Sequence, residues 1–201
     1  MELLTALEQS GFAVTIKENA VLYELPLVLH AIGMGVLVGL STAVYLRILG
    51  FASTLPLAPM KPFFPLMYAG FWINAVSGVV LFSLYPTKAV TNPGFFIKMG
   101  GVVLAVVCLR RIKQQVFDRA SRLDDEPVRK NDKILAGAAL FVWLLTITAG
   151  RLMAYHGIRD VERQASIAVF VAIVVMLLVG YAVIRVGSSE ASDKNGLVTG
   201  R

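Results

Sequence analysis

The sequence is poor in the residues that build metal centres and catalytic sites in soluble proteins. It has one cysteine, Cys108, and only two histidines, His30 and His156. A single cysteine excludes an intramolecular disulfide and any cysteine-based metal cluster. Charged residues make up 16% of the chain, whereas a soluble domain has about 25%. No zinc-protease, nucleophile-elbow or phosphate-loop motif occurs. These absences argue against a soluble hydrolase or nucleotide-binding enzyme.

Apolar residues, in contrast, are abundant. They form 57% of the sequence, with a mean hydropathy of +0.72, and they gather in blocks of the roughly 20 residues that a helix needs to cross a bilayer. The pattern predicts an all-α membrane protein, a bundle of about five transmembrane helices with a short N-terminal amphipathic helix within residues 1–20. A single domain over residues 1–187 would precede a polar tail, 188–201. The predicted spans are 22–49, 63–85, 93–109, 134–155 and 167–184.

The positive charge of the chain is better explained by topology than by nucleic-acid binding. The net charge is +6, and with five spans thirteen of the nineteen lysines and arginines fall on one side of the membrane. Basic residues collect on the cytoplasmic side. We therefore predict a multi-pass protein of a bacterial inner membrane, with its N-terminus outside and its C-terminus in the cytoplasm. Its surroundings would be the lipid bilayer, with no nucleic-acid partner.

The two histidines are the first candidates for a site, because polar groups within a membrane are costly and often functional. His30 lies about 6 Å beyond Pro26 along the first span, and His156 follows at the far end of the fourth. Antiparallel spans place both in the outer part of the bilayer. Two imidazoles at one depth on different helices suit the axial coordination of haem b. The alternatives are a hydrogen-bonded packing role for His30 and a headgroup location for His156.

Five further residues are candidate cofactor contacts. Lys98 and Arg151 share the predicted outer level and could bind haem propionates or a quinone headgroup, unless they extend to the interface instead. Tyr155 follows Arg151 by one helical turn. Gly33 would leave room for a ring beside His30, or allow close helix packing. Asn74 lies on a small, polar face of the second span and could bond across helices.

Short motifs resemble an uncharacterised family of small bacterial inner-membrane proteins. They are LYELPLVLHAIG at 22–33, LRILG at 46–50, NPGFFIK at 92–98 and GRLMAY at 150–155. This domain of unknown function is distantly similar to copper-resistance D-type and cytochrome b561-like bundles. The resemblance implies a helical membrane bundle in which His30, Lys98 and Arg151 are the marked positions.

Three functions follow as hypotheses. The first is a haem b subunit that exchanges electrons between quinone and a periplasmic redox protein, with His30 and His156 as axial ligands. The second is a cofactor-free subunit that anchors a larger respiratory or photosynthetic complex. The third is a copper-handling protein that uses His30 with Met34 and Met153, since imidazole and thioether ligands suit copper.

Overall fold

The computed structural model describes residues 1–118 and 128–153, and every regular element in those ranges is helical. Four long helices alternate in direction along the chain, and shorter helical segments precede or join them. The helices are α1 (Glu2–Glu8), α2 (Gly11–Glu18), α3 (Ala20–Leu49), α4 (Phe63–Leu84), α5 (Pro86–Val90), α6 (Pro93–Ile112) and α7 (Lys130–Leu152). A 3-10 helix, Ala58–Met60, precedes α4, and a π-helical turn, Lys113–Phe117, follows α6.

Local sequence signals account for the ends of these helices. The Asn19 side chain accepts hydrogen bonds from the backbone N–H groups of Val21 and Leu22 and so caps α3. Gly50 ends the helix with φ +107°, a left-handed conformation that glycine adopts without a Cβ clash. The predicted start of α6 is confirmed, because Asn92 accepts from the N–H of Gly94 at 2.8 Å with Pro93 as the first helical residue.

Three helical segments of the described ranges are long and apolar enough to cross a membrane, namely Ala20–Leu49, Ala58–Leu84 and Lys130–Leu152. Large apolar side chains cover their outer surface; Trp72 is 64% exposed and Val79 69%. Such surfaces favour lipid over water, which indicates a membrane protein. Helix α6 is not among the three segments, and the predicted span 167–184 lies outside the described residues. The five-span bundle therefore remains a prediction.

The N-terminal segment and the link after α4 differ from the sequence prediction. The sequence predicts a short amphipathic helix within residues 1–20, where Gly11 interrupts the apolar pattern. The structure has two helices there, separated at Ser10, whose hydroxyl caps α2 by accepting from the N–H of Ala13. A serine favours this capping position over a helix interior because its oxygen satisfies a free N–H. The additional helix α5 begins at Pro86, since proline is suited to the first turn of a helix.

The long helices pack in the spatial order α4, α3, α7, α6. Extensive contacts join α3 to α4, α6 to α7, and α3 to α7. Helices α3 and α4 cross at Gly33 and Gly70, where a Cβ on Gly33 would lie 2.7 Å from the Gly70 oxygen. Helices α6 and α7 approach at Gly101 and Thr146. Small residues thus allow close approach in two of the three helix pairs, α3 with α4 and α6 with α7, while α4 and α6 form no comparably extensive contact.

The space between α4 and α6 is filled by side chains at one end of the bundle and holds a cavity at the other. At the end that we call the core end, Phe64 of α4 packs edge-on against Phe117, with ring centroids 4.9 Å apart. Tyr45, Phe64 and Ile112 are fully buried there. At the opposite end, Phe82 of α4 stacks on Phe95 of α6 at 5.5 Å, and a cavity opens beside this pair. We call this the cavity end.

Candidate cofactor site

The cavity at the cavity end has a volume of about 460 Å³, within the range of small-molecule and cofactor sites. Helices α4 and α6 form its two walls, α5 and the end of α7 line it further, and α3 contributes one residue, His30. Most of the lining is apolar or aromatic. The polar side chains that line it are His30, Asn74, Tyr85, Lys88, Asn92 and Lys98.

Two reciprocal hydrogen bonds between α3 and α4 fix the orientation of His30. Its Nδ1 lies 3.0 Å from the carbonyl oxygen of Asn74, and the Asn74 side-chain amide donates to the carbonyl of His30 at 2.8 Å. A carbonyl can only accept, so Nδ1 carries the proton and Nε2 is the basic nitrogen of the neutral ring. The ring rests against Gly78, where an added Cβ would lie 3.1 Å from Cε1.

The Nε2 atom of His30 has no hydrogen-bond partner among residues 1–118 and 128–153, and the side chain is half-buried on the cavity wall. Ser77 is a second contact of Nδ1, the nitrogen that also contacts the Asn74 carbonyl; its hydroxyl oxygen lies 3.2 Å from Nδ1. An imidazole that donates from one nitrogen to a carbonyl and presents the other is the usual form of a histidine metal ligand. The geometry therefore suits ligation through Nε2.

Lys98 lines the same cavity from α6. Its aliphatic chain crosses to α7, where its Cδ and Cε lie 3.3 and 3.5 Å from the position of a Cβ on Gly150. A larger residue at 150 would push the lysine away. The half-buried ammonium forms no ion pair or hydrogen bond with any residue that the structure describes. Burial of a charge favours a counter-ion, so this group is suited to an anion bound in the cavity.

The N-terminal helices hold α5 against the cavity. Glu8 accepts a hydrogen bond from the Thr87 hydroxyl. Lys17 donates to the Glu8 carbonyl oxygen at 3.2 Å, and its ammonium lies 4.8 Å from the ring centroid of Tyr85. Tyr85 and Lys88 both line the cavity. The first eighteen residues thus help to define one end of the site.

Three of the residues proposed from the sequence come together here, namely His30, Asn74 and Lys98. Gly33 serves the alternative role, since it is buried in the crossing with α4. Arg151 is exposed on α7 and does not line the cavity.

Two other proposed residues, Tyr155 and His156, lie outside the described residues. The distance between the two imidazoles is therefore not defined, and the role of His156 as a second axial ligand stays a prediction.

Several lining residues were not foreseen as site residues. The sequence alone places Lys88 only among the six basic residues on the predicted outer side. Its position two residues after Pro86 could have indicated a fixed turn. Met99 lines the cavity with Met153, which the copper hypothesis includes, whereas Met34 of that hypothesis does not line it. Phe82 and Phe95 give the site a flat aromatic border that no sequence spacing indicated.

The donor set favours some metal centres over others. No group of three or more histidine, cysteine, aspartate or glutamate side chains suitable for a metal ion occurs in the part of the chain that the structure describes. A haem iron needs only one or two protein ligands, because the porphyrin supplies the rest. One histidine with a free Nε2, an apolar cavity and nearby cations are compatible with that group.

No family model, curated protein or solved structure matches this chain. The resemblance to the family of small inner-membrane proteins thus remains an interpretation of the short motifs that gave rise to it.

Proposed function

We propose that this chain is a membrane electron-transfer subunit that binds haem b in the cavity between α4 and α6, with His30 as an axial ligand. The observation that carries the proposal is the His30 imidazole, whose Nδ1 is engaged by the Asn74 carbonyl and whose Nε2 is unpaired at the cavity wall. Unpaired polar groups within a membrane cost several kcal/mol. A metal ion that accepts the lone pair of Nε2 would remove that cost.

Each part of the cavity has a role in this proposal. His30 would hold the iron, with its orientation set by Asn74 and Ser77. Lys98 would bind a propionate, and the stacked rings of Phe82 and Phe95 would exclude water from the macrocycle. Haem, when bound, supplies reversible one-electron transfer. His156 would be the second ligand of the iron, as predicted from the sequence.

The visible absorption spectrum tests this proposal in His30→Ala and in a matched control on the same helix. Ser41→Ala is suited as the control because Ser41 is buried at the core end and bonds only within α3, to the Leu37 carbonyl at 2.6 Å. We expect the parent chain and Ser41→Ala to retain b-type bands and His30→Ala to lose them. Equal haem content in all three proteins would refute ligation by His30.

A copper-handling function is the second candidate, because Met153 and Met99 line the cavity with His30. Thioethers and imidazole suit Cu(I). Metal analysis of the purified chain separates the two candidates, because a chain with haem contains one iron atom and a chain that binds only copper contains none. If copper binds, Met153→Leu should weaken its retention while Met34→Leu should not. A chain that contains neither metal and co-purifies with a larger complex would favour the cofactor-free anchoring subunit.

The proposed subunit is a five-span protein of a bacterial inner membrane, with the cavity end facing outward. The bias of basic residues supports this orientation. In a Cys108→Ala background, a cysteine at the exposed Lys88 should react with an impermeant reagent from outside, and one at the exposed Ser53 only from the cytoplasm. The reverse pattern would place the cavity on the cytoplasmic side and exclude a periplasmic redox partner.

A further inference from the structure

We propose that Lys88 and Lys98 form a two-cation clamp that binds two separate carboxylates, so that the cavity selects a dicarboxylate porphyrin. This inference rests on the proposed function and adds the chemical class of the ligand and an anion-binding residue, Lys88. Its basis is the distribution of paired and unpaired charges around the cavity.

Lys17, another cation at this end, is already neutralised. Lys17 lies 4.0 Å from the Glu8 carboxylate and rests on the Tyr85 ring. Lys88 and Lys98, in contrast, have no ion pair within residues 1–118 and 128–153, and both line the cavity. Lys98 is half-buried and therefore poorly solvated, whereas Lys88 is exposed at the edge of the cavity. A ligand with two negative groups would neutralise the half-buried charge of Lys98 and pair with that of Lys88.

The two lysines come from different elements, which favours two anionic groups over one. Lys98 extends from α6 across Gly150 of α7, while Lys88 projects from α5. Helix α5 has only five residues, but the bond from Thr87 to Glu8 and the contact of Lys17 with Tyr85 tie it to the N-terminal helices. Lys88 is therefore held at the cavity although its side chain is exposed.

The ligand must suit the two lysines, the apolar walls and the unpaired Nε2 of His30. Such a ligand is flat, largely apolar and doubly anionic, and it carries a metal ion that can bind an imidazole nitrogen. The walls provide aromatic and aliphatic contacts from Phe71, Phe82, Phe95, Val79 and Val102. A haem with both propionates ionised has this combination. A quinone headgroup lacks the two carboxylates, and esterification of the propionates removes them from haem without a change in the ring.

The test compares haemin with haemin dimethyl ester, titrated into the purified full-length apoprotein in a neutral detergent. The proteins are the parent chain, Lys98→Gln, Lys88→Gln, Lys88→Arg and, as a control, Lys130→Gln at the exposed start of α7. For haemin we expect binding about tenfold weaker in Lys98→Gln, because the ammonium group that is lost is half-buried. Lys88→Gln should bind about threefold more weakly, as for an exposed pair. Lys88→Arg and Lys130→Gln should match the parent chain.

The ester separates this clamp from a general loss of structure. We expect the ester to bind all five proteins with equal affinity, because it offers no carboxylate to either lysine. Equal binding of haemin and its ester by the parent chain would overturn the clamp and leave haem binding by His30 intact. Unchanged haemin affinity in Lys88→Gln would likewise overturn it. If the parent chain binds neither compound, the proposed function itself fails and the clamp fails with it.

Discussion

The two ends of the bundle are built from the same four long helices but are packed in different ways. At the core end, Phe64 and Phe117 close the space between α4 and α6, and Tyr45 and Ile112 are fully buried. At the cavity end, a cavity of about 460 Å³ lies between α4 and α6, beside the stacked rings of Phe82 and Phe95. One end of the bundle thus provides a closely packed core, and the other provides a lined space with unpaired nitrogen atoms.

This difference indicates that the core end mainly stabilises the protein and that the cavity end is suited to bind a ligand. Deleting a buried apolar side chain costs contacts and leaves a void, so the core end holds the helices in register. The cavity end leaves Lys98 and the Nε2 atom of His30 without partners in the described chain. Groups that burial makes costly persist where they serve a ligand. Substitutions at the two ends should therefore affect different properties.

The largest effect is expected at the crossing of α3 and α4, beside the cavity. A methyl group at Gly33 would lie 2.7 Å from two backbone atoms, the Asn74 nitrogen and the Gly70 oxygen, which cannot rotate away. Gly33→Ala should lower the free energy of unfolding by about 1–3 kcal/mol and disrupt the His30–Asn74 bonds. Thermal melting in detergent measures the first effect and cofactor retention the second. Gly35→Ala, which has open space on the same helix, should change neither, and equal losses in both variants would contradict the close crossing.

A smaller effect is expected where α6 meets α7. A Cβ on Gly101 would collide with the Thr146 side chain, whereas Gly100 faces open space. Gly101→Ala should therefore destabilise the protein by about 1–2 kcal/mol, and Gly100→Ala should not. Thr146→Ala removes the nearest obstructing atom, the hydroxyl oxygen, which bonds only to the Val142 carbonyl within its own helix. The double variant should regain most of the lost melting temperature; additive losses would show that the two residues are not in contact.

The sequence predicted the helical class and part of the site, for identifiable physical reasons. Asn92 and Pro93 give a local start signal that depends on no tertiary contact, and the predicted cap of α6 is confirmed. The grouping of His30 with Lys98 followed from the alternating direction of the helices. Lys88 was missed because its position depends on contacts between α5 and residues 8 and 17, which are distant in sequence.

The cavity itself could not be predicted from the sequence either. It exists because α3 and α7 pack together and separate α4 from α6, and this packing order is a property of the assembled bundle. Hydrophobic spacing identifies apolar helices but does not reveal which of their faces meet. The interruption near Gly11, in contrast, is visible in the sequence because it is local: the Ser10 hydroxyl caps α2, and Gly11 is the first residue of that helix.

The smallest effect is expected at the core end, at Tyr45. Its hydroxyl is fully buried and makes no hydrogen bond of good geometry among the residues described, although the Ser41 and Trp143 side chains lie beside it. Removal of an unsatisfied buried hydroxyl is nearly neutral or stabilising. Tyr45→Phe should therefore change the free energy of unfolding by less than about 0.5 kcal/mol and leave cofactor content unchanged. A loss of more than about 1 kcal/mol would mean that the hydroxyl does have a partner, for which the Ser41 hydroxyl and the Trp143 indole N–H are the nearest choices.

The central claim, that the cavity end is a haem site, is tested most directly by the haem content of the parent protein. The chain should be produced in cells supplied with a haem precursor and purified in a mild detergent, and haem b measured per polypeptide as its pyridine complex. We predict one haem per chain, with low-spin bands that shift on reduction. A purified, folded chain that contains no haem and takes up none when haemin is added would contradict the account.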